Sequence, residues 1–266
     1  MPKAGKIKNV IFLGRKASAV LALEHLLAQG IRVKLVVAPE REDYFPTLRA
    51  ATKKYHLPFL SDDQKLYALI NKRHPLIRDV DLVISFLFWR RIKDPLIKLA
   101  RIGCLNFHPA PMPDYKSRAG YNTAILEQKK KFGVSAHFID SESFDSGPII
   151  RVLRFPIDSQ AETALVLERK TQVKLVQLFK EVITLLQNNK KLRLRKNEGG
   201  LYLNKEQLDK LKEIDLKRDS LDEIHRKIRA FFFPPYSGAT IEIKGEKFTL
   251  IDKKILELIN DLIKKK

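Results

Sequence analysis

A chain of 266 residues with 44% hydrophobic content is long enough for one large domain, or for one domain of about 200 residues with an appendage, and is too apolar for disorder. Its formal charge of +20 points to anionic partners, although the basic residues are dispersed among acids as on an ordinary solvated surface. A single cysteine, Cys104, excludes an internal disulfide framework and a cysteine-built zinc site. The apolar runs 10–13 and 82–89 are too short to span a bilayer, and the basic N-terminus lacks the apolar stretch of a signal peptide, so a cytoplasmic protein is expected.

Residues 7–13 form an apolar run closed by Gly14 and are predicted to be a buried strand. Residues 18–29 read as an apolar helix ended by Gly30, and 31–37 alternates like a second strand. Strand, helix and strand in this order imply a parallel pair joined by a right-handed crossover. The pattern then predicts a helix over 47–55, a strand over 57–60, a helix over 63–72, a strongly apolar strand over 81–86, a short helix over 95–101 and a strand over 103–107. A helix over 121–128, a strand pair over 134–140 and 149–155, and a long amphipathic helix over 162–187 complete this part of the chain. This alternation is that of an α/β fold, an open, doubly wound, mostly parallel sheet of the Rossmann type over roughly the first 190 residues. The pattern loosens at Asn197-Glu198-Gly199-Gly200. A small α+β appendage is predicted beyond it: a helix over 221–230, the rigid connector Phe231-Phe232-Phe233-Pro234-Pro235, a hairpin of 239–243 and 247–251, and a helix over 255–264. The expected division is a catalytic domain over 1–196 and an appendage over 197–266.

Gly14 ends the first strand as in a dinucleotide fold, yet Gly14-Arg15-Lys16-Ala17-Ser18 is not G-x-G-x-x-G, so the pyrophosphate fingerprint is absent. Arg15, Lys16 and Ser18 read either as groups facing an anion at a helix N-terminus or as surface charge with an N-cap. The strand over 81–86 runs into Leu87-Phe88-Trp89-Arg90-Arg91-Ile92, which is either core packing or the wall of a pocket for a flat ring. Asn106 and His108 share one side of a strand end, the place where open α/β sheets bind ligands, and Pro109, Pro111 and Pro113 stiffen the loop leaving that strand. With the carboxylate of Asp145, this amide and imidazole could hold a carbonyl, stabilise its tetrahedral intermediate and move a proton. The residues alone equally allow a structural histidine–asparagine pair, and a turn capped by Asp145 beside Gly147-Pro148.

Asn106-Phe107-His108-Pro109-Ala110-Pro111-Met112-Pro113-Asp114-Tyr115 resembles the N-x-H-P-S-L-L-P-x-Y signature of the 10-formyltetrahydrofolate-dependent formyltransferases. Gly133-Val134-Ser135-Ala136-His137-Phe138-Ile139-Asp140, followed by Asp145-Ser146-Gly147-Pro148-Ile149-Ile150, is similar to the family's G-V-T-x-H-x-V-D and D-x-G-x-I-I block. The resemblance spans residues 7–190 and a shorter tail element at 228–239. It implies formyl transfer from 10-formyltetrahydrofolate, a co-substrate, to a primary amine without a metal. It implies a catalytic trio of Asn106, His108 and Asp145. Asn106 would donate to the formyl oxygen and His108 would stabilise the oxyanion as an imidazolium, with Asp145 orienting His108 and accepting the amine proton. It further implies folate contacts from Phe88, Trp89, Arg90, Arg91 and Ile92, from Ala110, Pro111, Met112 and Pro113, and from Asp140, Ser141 and Glu142. The chain departs from the signature at Ala110-Pro111-Met112-Pro113, and at Lys116-Ser117-Arg118-Ala119-Gly120 where R-G is usual, a region that borders the acceptor in the family.

Three acceptors are compatible with this resemblance. A nucleotide-linked amino sugar, a small anionic partner, is favoured because such enzymes have similar length and a short appendage. Methionyl-tRNA suits the charge, but its enzymes carry a C-terminal barrel for which the stretch after residue 205 is too short. Enzymes acting on glycinamide ribonucleotide usually lack the tail. No membrane partner is expected, and pairing of two copies as a homodimer is left open. A basic nucleic-acid-binding protein on the same fold is the non-enzymatic alternative, and the intact trio argues against it.

Overall fold

The apolar run ahead of Gly14 becomes the central strand β1 (Asn9–Gly14), and its alternation divides the protein interior. Val10 and Phe12 enter one apolar cluster, and Ile11 and Leu13 enter another on the opposite face. The computed structural model describes residues 6–42, 44–118 and 120–264. The first five residues of the basic N-terminus, Asp43, Ala119 in the loop after Tyr115, and Lys265 and Lys266 of the lysine tail lie outside the described residues.

After β1 come α1 (Ala17–Ala28), β2 (Arg32–Val37), α2 (Leu48–Lys54), β3 (Phe59–Leu60), α3 (Asp63–Asn71), a 3-10 turn (Pro75–Ile77), β4 (Leu82–Phe86) and β5 (Gly103–His108). The chain continues through β6 (Tyr115–Ser117), α4 (Tyr121–Leu126), β7 (Lys131–Ile139), β8 (Ile149–Pro156) and α5 (Ala164–Gln187). The seven-stranded sheet has the order β3-β2-β1-β4-β5-β7-β8. The first five strands are parallel, and β7 and β8 add an antiparallel ribbon at one edge. The predicted doubly wound, mostly parallel α/β sheet is therefore the observed one. Thr47, Asp62 and Thr163 cap α2, α3 and α5 through side-chain oxygens that accept from Ala50 N, Gln64 N and Val166 N.

One face of the sheet is covered by α1 and α5, whose apolar stripes carry Leu23, Leu26, Leu175 and Phe179 into the larger cluster. Phe179 is fully buried, with ring centroids 6.4 Å from Phe12, 5.7 Å from Phe86 and 4.8 Å from Phe107. The opposite face is covered by Leu66 of α3, Ile77 of the 3-10 turn, and Leu96 and Ile97. Phe179→Ala should lower unfolding free energy by about 3–5 kcal/mol, the usual cost of deleting a fully buried aromatic ring. A urea titration of the variant against the parent reads this directly.

The predicted helix over 95–101 is instead a series of turns. Leu96 N and Ile97 N both bond to Lys93 O, while Arg101 N is drawn to Val80 O and Ile102 N to Asp81 O. The end of the segment is thus taken up at the entry to β4 before a helix can propagate. Two short strands were not foreseen: β6 pairs in parallel with β9 (Leu201–Leu203), which lies in the segment read as loose. Beyond β9 come α6 (Lys205–Lys210), α7 (Leu221–Phe231), the antiparallel hairpin β10 (Thr240–Ile243) and β11 (Glu246–Thr249), and α8 (Lys253–Lys264). Capping boxes start α6 at Asn204 and α7 at Ser220. Helix α7 is tied to α4 by Asn122 Nδ2 donating to Ala230 O and by Arg226 donating to Leu126 O. Among the described residues no helix is long and apolar enough to cross a membrane.

Candidate active site

Strand order runs outward in both directions from β1 and β4, so the loops leaving their carboxyl ends diverge and leave a crevice. A cleft of about 410 Å³ opens there. It is bounded by Arg15 after β1, by Leu87 to Ile92 after β4 and by Asn106, Phe107, His108 and Pro109 at the end of β5. The loop from Ser141 to Asp145 closes one side, and Ser117, Arg118, Tyr202, Asn204 and Lys205 close another.

The register of the sheet assembles the reactive groups. Ser85 of β4 lies beside Asn106 of β5, and Asn106 lies opposite His137 of β7. Ser85 Oγ donates to Asn106 Oδ1 at 2.8 Å, which turns the amide nitrogen inward. From there Asn106 Nδ2 reaches His137 Nε2 at 3.0 Å and Asp145 Oδ1 at 3.3 Å. His137 Nδ1 lies 2.8 Å from Phe138 O, and a carbonyl can only accept, so the ring proton sits on Nδ1 and Nε2 accepts from Asn106. Both amide hydrogens of Asn106 are therefore engaged, and the longer contact to Asp145 is the one a carbonyl ligand would displace.

His108 Nδ1 stands 3.4 Å from Asp145 Oδ1. Its Nε2 is buried and has no hydrogen-bond partner. Asp145 is held by more than the ring: Ser117 N donates to its Oδ2 at 2.9 Å, and its backbone adopts the left-handed conformation with φ of 51°. Burial opposes the ionisation of Asp145, but the facing His108 and the Ser117 N–H outweigh it and hold the carboxyl far below the usual range. For His108 burial dominates and lowers the imidazole below its ordinary value. The charge of Asp145 and a backbone bond at Tyr115 pull the other way, and His137 adds to the depression. The resting group is thus a neutral ring with its proton on Nδ1 toward the carboxylate and a lone pair on Nε2.

Of the residues expected to hold folate, Phe88, Trp89, Arg90, Arg91, Ile92, Ser141 and Glu142 line the cleft. The Phe88 and Trp89 rings lie 4.5 Å apart, and the Arg91 guanidinium sits 4.7 Å from the centroid of the Phe144 ring. Ala110, Pro111, Met112 and Pro113 do not line it, and neither does Asp140. Ala110 and Met112 are buried because Ser135 Oγ donates to Ala110 O and accepts from Met112 N, which folds this loop against β7. Asp140 is exposed beyond the end of β7. Of the three groups at the start of α1, only Arg15 faces the cleft. Lys16 pairs with buried Glu168 and Ser18 bonds to Gln172, so both serve the packing of α1 on α5. Sequence reasoning singled out neither Ser85 nor His137 as a site residue, because each sits inside an apolar strand run. It also missed the contribution of β9. Among the described residues no group of three His, Cys, Asp or Glu side chains is placed to hold a metal ion.

The sheet thus gathers an amide, an imidazole and a carboxylate at its switch point, an arrangement that can hold a carbonyl and move a proton. The formyl transferase family model matches residues 19–183, and the chain belongs to that family. The chain is 27% identical to the methionyl-tRNA formyltransferase of Thermotoga maritima, over 92% of this chain and 80% of that protein. It is 26% identical to the GDP-perosamine N-formyltransferase of Brucella melitensis, over 90% of this chain and 91% of that one. Among solved structures, a 4-N formyltransferase from Francisella tularensis superposes with a TM-score of 0.72 at 21% identity, covering 93% of this chain and 98% of that chain. The N-formyltransferase of Helicobacter canadensis, solved with folinic acid and dTDP-3-aminofucose, superposes with a TM-score of 0.70 at 24% identity, covering 90% and 85%.

Proposed function

We propose that this formyl transferase moves the formyl group of 10-formyltetrahydrofolate to the amino group of a nucleotide-linked amino sugar. The observation that carries the reading is the cluster of Asn106, His108 and Asp145, with an unpartnered His108 Nε2, at the switch point of the sheet. The ring-lined wall of Phe88 and Trp89, in the same cleft as that orphaned nitrogen, fits a flat ligand bearing an acyl group. When bound there, the folate supplies the formyl group. Asn106 gives up its long bond to Asp145 and donates to the formyl oxygen. His108 Nε2 takes a proton from the attacking amine and returns it to the departing nitrogen. A new C–N bond to the acceptor thereby replaces the one to the donor, with no net change in protons. Asp145 stabilises the imidazolium formed in between.

Arg15, Arg91, Arg118 and Lys205 on the cleft walls support an anionic acceptor. The near full-length similarity to a GDP-perosamine N-formyltransferase supports a sugar carried on a nucleotide. Methionyl-tRNA is the second reading, supported by the +20 charge and the similarity to the Thermotoga maritima enzyme. Incubation of the enzyme with formyl-folate and either a panel of amino-sugar nucleotides or charged initiator tRNA separates the two. Turnover of a nucleotide sugar is expected, and turnover of the tRNA alone would replace this reading by the second.

The charge state of His108 is open to direct measurement. Its folded pKa lies below the ordinary histidine value of 6.5, so the neutral form persists through pH 7 and is lost only as pH falls below that value. An NMR titration, with His108→Gln assigning the resonance, should give a midpoint under 6.5. The unfolded chain then binds more protons than the native one near this midpoint, so His108 contributes a loss of stability as pH falls through it.

A further inference from the structure

We propose that Asn197, from the segment beyond the sheet, is a positioning residue for the Asp145 carboxylate; this rests on the functional reading above. Asn197 Nδ2 donates to Asp145 O and to Gly147 O, both at 2.9 Å. Backbone carbonyls can only accept, so the amide orientation is fixed, and it leaves Asn197 Oδ1 buried without a partner. A side chain that satisfies two carbonyls of the Asp145 turn while leaving its own oxygen unmatched is suited to holding that turn rather than to stabilising its own segment. The turn needs holding. Asp145 sits at φ of 51°, in the left-handed region that non-glycine residues enter uncommonly and aspartate more readily than most, and its two neighbouring carbonyls are fixed there by the Asn197 amide.

The segment carrying Asn197 is itself fastened on both sides of the site. Arg195 and Ile149 exchange backbone bonds at 2.9 Å in each direction. Lys116 Nζ donates to Asn197 O at 3.1 Å. Gly200, at φ of 84°, passes so close to Pro113 that a Cβ would collide with the Pro113 carbonyl. Leu201 N then donates to Asp114 O at 2.8 Å, and β9 pairs with β6 from Tyr115 to Ser117. Since Ser117 N holds Asp145 Oδ2, this one strap grips the carboxylate's backbone through Asn197 and its side chain through β6. The residues read from sequence as the start of an appendage thus complete the catalytic site.

The test compares Asn197→Ala, Asn197→Asp and Asp145→Asn, singly and as the Asn197→Ala/Asp145→Asn double variant, in the full-length enzyme. Asn197→Ala should lower kcat roughly 10- to 100-fold, since a displacement of about 1 Å costs on that order, with KM for formyl-folate nearly unchanged. Asn197→Asp keeps the shape but sets a carboxylate against two carbonyls, and should fall at least as far. In the Asp145→Asn background, Asn197→Ala should cost almost nothing further. If Asp145→Asn alone kept full turnover, the catalytic reading would fail. If Asp145→Asn abolished turnover while Asn197→Ala kept it, or if the two losses multiplied, the positioning role would fail. Should Asn197→Asp not fold, the double variant still decides.

Discussion

Asp145→Asn is expected to lower formyl transfer by about 10³-fold or more while leaving the protein folded. The donors around the carboxylate are the reason. Oδ2 accepts from Ser117 N, and Oδ1 accepts from Asn106 Nδ2 and faces His108 Nδ1. An amide has one acceptor oxygen, so its NH2 must oppose either the Ser117 N–H or the Asn106 amide. The negative charge that would stabilise protonated His108 is lost in both orientations. If the NH2 turns to His108, it also forces the ring proton onto Nε2 and removes the lone pair that would take the amine proton. Transfer rates from stopped assays, with the unfolding midpoint as a control, read the effect.

Asn106→Ala should cost about 10²–10³ in rate, the usual consequence of removing one donor from an oxyanion site. Nothing else in the cluster can replace it. His137 Nε2 is an acceptor, and the Ser85 hydroxyl, although released when Asn106 Oδ1 is removed, stands on β4 behind that oxygen rather than at the place of the amide nitrogen between His137 and Asp145. Binding of the folate should change little, because the cleft wall formed by Phe88 and Trp89 is untouched. Parallel measurement of folate affinity and single-turnover rate separates these effects, and a loss confined to affinity would contradict the role given to Asn106.

Much of this site was legible from residue patterns, for identifiable reasons. The continuous apolar run of β1, the alternation of β2 and the apolar helix between them dictate a parallel unit, and further apolar runs mark β4 and β5. Asn106 and His108 were readable because they interrupt an apolar strand at its carboxyl end, where the fold places ligands. Ser85 and His137 were harder: both sit within buried stretches of their strands, and only the register across β4, β5 and β7 brings them against Asn106. The pairing of β6 with β9 was not legible at all. Tyr115-Lys116-Ser117 and Leu201-Tyr202-Leu203 are too short to show a period, and they lie far apart in the chain. Asn197 stood in a polar stretch that reads as a linker, yet two directed hydrogen bonds make it part of the site. The charge state of His108 depends on burial by distant elements, which spacing along the chain does not record.

The loop after His108 illustrates a different limit. A resemblance assigned Ala110, Pro111, Met112 and Pro113 to the folate, whereas the hydrogen bonds of Ser135 turn that loop toward β7. In this chain the loop packs on β7, and Ser143, Phe144, Tyr202, Asn204 and Lys205 are among the residues that line the cleft.

The most direct test of the central claim is the single-turnover rate of His108→Ala with saturating formyl-folate and the best amino-sugar nucleotide. The account predicts a fall of at least about 10²-fold with folate affinity retained, because the buried Nε2 is the only proton acceptor it assigns to the attacking amine. A His108→Ala enzyme that transferred formyl at close to the parent rate would contradict it.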